Sequence, residues 1–128
     1  MKVIVLGGTR FIGRAAVEEL VAAGDDLLVV HRGVLEPPDM PEVQHLHCER
    51  AALTAHRDVL EAFGPDAVID CRALTRTDAE LALAALPEVK RWIVISSIDV
   101  YRAFGALNSD QETDPVPLDE DSAVRPER

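Results

Sequence analysis

The sequence predicts a doubly wound parallel α/β sheet in three αβα layers, with strand order 3-2-1-4-5. Two observations carry this expectation. Five short apolar runs, at residues 3–6, 27–30, 43–47, 67–69 and 92–95, alternate with stretches of helical periodicity. Strands alternating with amphipathic helices close into a parallel sheet through right-handed crossovers. The first run also stops at Gly7-Gly8 and passes into a helical pattern from Phe11-Ile12-Gly13, the strand, glycine turn and helix that open such a sheet.

Each element has its own signal. Val3-Ile4-Val5-Leu6 is uninterrupted and rich in β-branched residues, as a buried strand should be. Ala16-Val17 and Leu20-Val21 then recur at helical spacing, with Glu18-Glu19 facing the other way and Gly24 at a plausible C′ position. The second strand, Leu27-Leu28-Val29-Val30, ends at His31-Arg32-Gly33. Pro37, Pro38 and Pro41 forbid regular structure in the following loop. Val43-Gln44-His45-Leu46-His47 alternates weakly and gives the third strand.

Residues 51–63 read as one helix with Leu53, Leu60 and Phe63 inward, stopped by Gly64-Pro65. Ala67-Val68-Ile69 is the fourth strand. Thr77 and Glu80 have capping-box spacing, and Ala79, Ala82, Leu83 and Leu86 form the apolar side of a helix ended by Pro87. Trp92-Ile93-Val94-Ile95, the fifth strand, runs into Ser96-Ser97. From Phe104 onward periodicity is lost. Residues 1–103 are therefore expected to form the sheet domain, and residues 104–128 to be extended or disordered.

A chain of 128 residues that is 48% hydrophobic can bury a sizeable core as one domain. Its net charge of −10, from 23 acidic and 13 basic residues, opposes binding to nucleic acid or to an anionic membrane, so neither partner is expected. Half of that charge lies in residues 105–128, where seven acids face two arginines. Cys48 and Cys71 are far apart and lack metal-ligand spacing, so no disulfide framework is expected and no metal-ligating set is assigned. With no signal-peptide pattern and no apolar run near the roughly 18 residues of a membrane span, a soluble cytoplasmic protein is expected.

The glycine loop carries the functional signal. Gly7 stands where the backbone must turn tightly, and Gly13 where the helix must pack close to the strand. The helix start at Phe11-Ile12 offers free N–H groups and the positive end of a dipole to a pyrophosphate. Gly7-Gly8-Thr9-Arg10-Phe11-Ile12-Gly13 resembles the loop of the NAD(P)-dependent epimerase/dehydratase family, within the extended short-chain dehydrogenase/reductase superfamily and its Rossmann-type fold. It departs from the family's Gly-x-x-Gly-x-x-Gly at the middle position. Arg10 there gives up the closest backbone approach and adds a cation beside the phosphates.

The end of the second strand addresses the choice of cofactor. NAD selectivity usually comes from a carboxylate there, bonded to the ribose hydroxyls. This chain has His31 followed by Arg32, and Arg32 with Arg10 suits a charge-assisted clamp on a 2′-phosphate. NADP is favoured over NAD. The resemblance further implies that Glu49 lies on the adenine side with Arg50 beside it. It also matches Arg72-Ala73 to the small pair under the cofactor, where Arg72 is larger than the family's usual alanine. Cys71 reads as a packed strand residue, since no histidine is close in sequence.

Ser96-Ser97-Ile98-Asp99-Val100-Tyr101 resembles the family's Ser-Ser-x-x-Val-Tyr-Gly segment. By that resemblance Ser97 is the catalytic hydroxyl that orients the substrate oxygen and steadies its charge during hydride transfer, with Ser96 near the cofactor. Asp99 matches one of the acidic pair of sugar dehydratases, but its neighbour Ile98 is apolar. The family's proton donor is a tyrosine four residues before a lysine. The single tyrosine, Tyr101, has Gly105 at that distance, and the lysines are Lys2 and Lys90.

The resemblance therefore covers the N-terminal part of the family, and the chain is expected to be a fragment of an enzyme acting on a sugar nucleotide or a similar small hydroxylated or carbonyl substrate. The alternative is a non-catalytic module that senses NADP(H). Family members often dimerise through the helix at residues 77–86, so a homodimer is a further expectation.

Overall fold

The computed structural model describes residues 1–86, 88–106 and 113–125. The chain divides into two compact units, Met1–Ile95 and Ser96–Arg128. The first holds one five-stranded sheet in the order β3-β2-β1-β4-β5, formed by β1 (Lys2–Leu6), β2 (Asp26–His31), β3 (Gln44–His47), β4 (Ala67–Asp70) and β5 (Trp92–Val94). Every neighbouring pair is parallel. This is the fold and the strand order that the alternation of apolar runs predicts.

Alternation along β1 decides which layer packs on which face. Val3 and Val5 join Leu27, Val29 and Val17 of α1 (Phe11–Ala22) in one core. Ile4 and Leu6 point the other way, with Leu28, Val30 and Val68, against α2 (Arg57–Phe63) and α3 (Arg76–Ala85), which contribute Leu60, Phe63, Ala82 and Ala85. Ile4, Val5, Val17, Val29, Leu60 and Val68 have no solvent-exposed surface. Each such side chain contributes about 1.5–3 kcal/mol of burial. Gly24 (φ +80°) and Gly64 (φ +66°) end α1 and α2 in the left-handed region, as expected of helix-terminal glycines.

Two helical elements differ from the sequence reading. The segment expected as one helix over residues 51–63 is a 3-10 turn, Arg50–His56, followed by α2. His56, at φ −108° and ψ 17°, leaves the α region and divides it. Leu53, Leu60 and Phe63 are buried all the same, which is why their spacing looked continuous.

The second difference is the capping box. It is built from Thr75 and Asp78 rather than Thr77 and Glu80, so α3 begins at Arg76. Thr75 Oγ1 accepts from the Asp78 N–H at 3.1 Å, and the Asp78 carboxylate accepts from the Thr75 N–H at 2.9 Å. The buried face also differs from the expected Ala79, Ala82, Leu83 and Leu86. Ala82, Ala85 and Leu86 are inside, whereas Leu83 is 53% exposed. Pro87, read as the stop of this helix, lies outside the described residues.

The second unit contains a 3-10 turn at Ile98–Val100, the short helix α4 (Arg102–Gly105) and one antiparallel bridge between Tyr101 and Val124. Ion pairs join Arg125 to Asp99 at 2.6 Å and Arg102 to Asp114. Residues 107–112 and 126–128, within the stretch expected to be extended or disordered, lie outside the described residues. Among the described residues no helix is long and apolar enough to cross a membrane.

Candidate functional site: a cavity at the carboxyl ends of the strands

The strands of the first unit all run the same way, so their carboxyl ends share one edge. A cavity of about 540 Å³ opens there, and Leu6, Val30, His31, Cys48, Cys71 and Ile95 from the strand ends contribute to its wall. This is where open α/β sheets bind ligands, beside the switch in strand order between β1 and β4.

The loop after β1 forms one side of the cavity, through Gly7, Thr9, Arg10, Phe11, Ile12 and Gly13. Its glycines are required by close approaches. A Cβ on Gly13 would overlap the carbonyl oxygen of Gly7, and Gly7 itself sits at φ +91°. Gly8, unassigned by the sequence reading, is where α1 meets the sheet. A Cβ there would lie 2.8 Å from Val29 and 2.9 Å from Val17.

The start of α1 carries no side-chain cap and no acid in its first turn. Its orphan N–H groups and dipole are therefore not already engaged by a carboxylate of the helix. Phe11 (84% exposed) and Ile12 (60% exposed) lie at this mouth. The backbone of Phe11 has φ +47°, a left-handed value unusual for a side-chain-bearing residue.

Arg32 and Arg10 line the same cavity from opposite chain segments, and both are exposed. Val34 and Leu35, which follow Arg32, give it an exposed apolar wall that the sequence reading did not single out. Glu49 and Arg50 line it from the turn after β3.

Arg50 is also engaged within the protein. It donates to both carboxylate oxygens of Asp70, at 2.6 and 3.0 Å, and to the Asp78 carbonyl at 2.9 Å. Asp70 is only 1% exposed and also accepts from the Arg72 N–H at 2.8 Å. A lone aspartate closing an apolar strand is the sequence signal that would have found it.

Arg72 lines the cavity, and its side chain packs over Gly7, while Ala73 is not among the lining residues. Burial and the neighbouring Asp70 push the Cys71 thiol pKa up, and burial does the same to Cys48. Both cysteines are free thiols, held away from thiolate reactivity.

His31 is buried at the cavity wall. Burial lowers its pKa, helped by His45 and His47 and opposed by Glu36. His45 and His47, read simply as strand residues, surround it, with ring centroids 5.0 and 4.7 Å away.

Ser96 and Ser97 belong to the second unit. Ser97 Oγ accepts from the Asp99 N–H at 3.3 Å and caps the 3-10 turn that leads to Tyr101. The Asp99 carboxylate is engaged by Arg125.

Comparisons with known proteins agree with this architecture. Residues 3–85 match the model of the NAD dependent epimerase/dehydratase family. The chain is 35% identical over 99 residues to 2'-dehydrokanamycin reductase of Streptomyces kanamyceticus, covering 77% of this chain and 28% of that protein. It is 28% identical over 138 residues to the chloroplast stem-loop binding protein of 41 kDa b of Arabidopsis thaliana, covering 98% of this chain and 34% of that one. The chain thus spans about a third or less of the length of the curated relatives it matches.

Among solved structures, UDP-glucose 4-epimerase from Bifidobacterium longum, in complex with NAD+ and UDP, superimposes with a TM-score of 0.76 at 18% identity, over 98% of this chain and 43% of that one. A likeness at that identity speaks for the fold alone. With the matched family segment covering β1 through α3, the chain belongs to the NAD dependent epimerase/dehydratase family.

Proposed function

We propose that this chain is the cofactor-holding portion of an NADP-dependent oxidoreductase, with its cavity as the dinucleotide site. The observation that carries the reading is the convergence, on one cavity at the strand ends, of the glycine loop, the start of α1 and the two cations Arg10 and Arg32. The pyrophosphate would lie on the N–H groups at the start of α1. Arg32 and Arg10 would hold a 2′-phosphate, and Glu49 would face the adenine side. Val34 and Leu35 would supply apolar contact to the base.

When bound, the nicotinamide supplies the hydride chemistry. The chain's own part is to bind and orient the cofactor and to keep water from the apolar wall. Ser97 would orient a substrate oxygen, and a Tyr-x-x-x-Lys pair, which these 128 residues do not contain, would belong to the part of the relatives' length that this chain does not span. A sugar nucleotide or a similar small hydroxylated or carbonyl compound is the substrate class this reading favours, in a cytoplasmic enzyme. Dimerisation through α3 and exclusion of nucleic acid and membrane surfaces belong to the same reading. The net charge of −10 supports the exclusion, and the exposed Leu83 supports an α3 contact.

Calorimetric titration of the chain with NADP and with NAD tests the cofactor reading. A clear NAD preference would overturn the roles of Arg10 and Arg32. Turnover separates the parts of the account: the 128-residue chain should bind NADP and reduce nothing, and measurable turnover by it would contradict the assignment of proton transfer to other sequence. A filter-binding assay at low salt should detect no affinity for a stem-loop RNA.

A further inference from the structure

At the end of β2 and along β3, three of the chain's four histidines meet one carboxylate. His31, His45, His47 and Glu36 bring one nitrogen or oxygen each to within 4.8 Å of one another. His31 Nε2 lies 2.8 Å from His45 Nδ1 and 3.4 Å from Glu36 Oε1, and His47 Nε2 contacts the same glutamate oxygen. We propose that these four side chains form a transition-metal site, with Zn²⁺ as the ion that fits its ligands.

The topology places the ligands together. His31 and His47 are register partners across the β2–β3 pair, and His45, two residues back on β3, projects to the same side as His47. Glu36 arrives on the loop after β2. That loop turns back over the strand ends at Gly33, whose φ of +71° suits glycine. A Cβ at Gly33 would stand 3.1 Å from the His47 ring, so the close return depends on its absence.

Three imidazoles and a carboxylate form a borderline-soft nitrogen and oxygen set. Such a set suits Zn²⁺ over Mg²⁺ or Ca²⁺, which take oxygen ligands. Tetrahedral Zn²⁺ with bonds of about 2.0–2.1 Å requires ligand atoms about 3.4 Å apart. The His31–Glu36 separation already meets this, and the His31–His45 hydrogen bond would open slightly as the ion replaces its proton.

One local change accompanies binding. His31 Nδ1 accepts from the Gly33 N–H at 3.2 Å, so the neutral ring carries its proton on Nε2. A metal on Nε2 moves that proton to Nδ1 and releases the Gly33 contact. Four protein ligands close the coordination sphere, the pattern of a structural rather than a catalytic zinc. Of the four, only His31 lines the cofactor cavity, so the proposal stands without the cofactor reading.

The test is direct metal binding to the 128-residue chain after exhaustive dialysis against a chelator. Titration with ZnCl2, by calorimetry and by competition with a chromophoric chelator, should give one equivalent per chain, and MgCl2 should give no heat. Co²⁺ in place of Zn²⁺ should show the intense visible absorption of a tetrahedral site. Loss of one ligand in His45→Ala or His47→Ala should weaken Zn²⁺ binding by at least the roughly 10–100-fold that losing an outer-shell partner costs. His56→Ala, removing the one histidine outside the cluster, should change nothing. Glu36→Gln keeps the strand pair intact, so it decides the matter if a β3 variant misfolds; it too should weaken binding. Absence of a saturable equivalent in the unmodified chain, or affinity unaltered in folded variants, would overturn the proposal.

Discussion

Arg50 grips the Asp70 carboxylate through both oxygens, at 2.6 and 3.0 Å, joining the turn after β3 to the end of β4. The aspartate is 1% exposed and the arginine side chain 16%. Removing one partner of a buried pair costs about 3–5 kcal/mol, because the other charge stays behind unpaired. Arg50→Ala should therefore lower the unfolding free energy by that order in urea denaturation followed by circular dichroism. Arg50→Met with Asp70→Asn should recover part of the loss. A single variant as stable as the parent would show that the pair does not hold the strand ends.

The glycines of the loop should separate by what a Cβ would meet. Gly13→Ala forces a methyl onto the Gly7 carbonyl, and Gly8→Ala wedges one between Val29 and Val17. Overpacking of this kind costs about 1–3 kcal/mol, and here it also distorts the loop that lines the cavity. Gly24→Ala, with nothing within 4 Å but φ at +80°, should cost only the left-handed penalty of about 1–2 kcal/mol. Denaturation midpoints test the ranking. NADP titration should show binding lost in Gly13→Ala and retained in Gly24→Ala.

The capping box makes part of the stability depend on pH. Hydrogen bonds from the Thr75 side chain, then from backbone N–H groups, together with the Arg50 charge, hold the Asp78 carboxyl below its ordinary pKa. A carboxylate whose pKa is lower in the folded state stabilises above its unfolded value, about 3.9, and loses that contribution as pH falls through the folded value. Thr75→Ala should cost about 1 kcal/mol at neutral pH. The penalty should shrink below a pH of about 4, and NMR titration should show the Asp78 pKa moving upward. A penalty independent of pH would contradict the assignment.

Arg32→Ala and Arg10→Ala bear on cofactor choice. Each charge-assisted bond to a phosphate contributes about 1.5–3 kcal/mol, so either change should weaken NADP binding about tenfold or more and leave NAD nearly unaffected. Equal losses for both cofactors would place these arginines elsewhere than on a 2′-phosphate.

The sheet was legible because period-two and period-3.6 patterns report burial directly, and every strand in the parallel sheet lies where an apolar run placed it. What escaped were features that depend on side chains meeting across distance in sequence. Thr75 and Asp78 lack the Glu or Gln of the usual capping box, which the neighbouring Thr77–Glu80 spacing offers. Arg50 and Asp70 are 20 residues apart, and nothing local says they touch. His45 and His47 alternate as strand residues should, and only the β2–β3 register brings them to His31. The glycine loop after β1 was readable because its residues are contiguous, with Gly8 the exception. Its role depends on Val17 and Val29, distant in sequence.

The cavity at the strand ends is proposed to hold a dinucleotide and to prefer one with a 2′-phosphate. Isothermal titration of the unmodified chain with NADP and NAD in one buffer decides between the two cofactors. Saturable one-to-one binding of NADP is expected, with a dissociation constant at least about tenfold below that of NAD, the ratio one phosphate contact supplies. No binding of NADP by the folded chain, or NAD binding as tightly or more tightly, would contradict it.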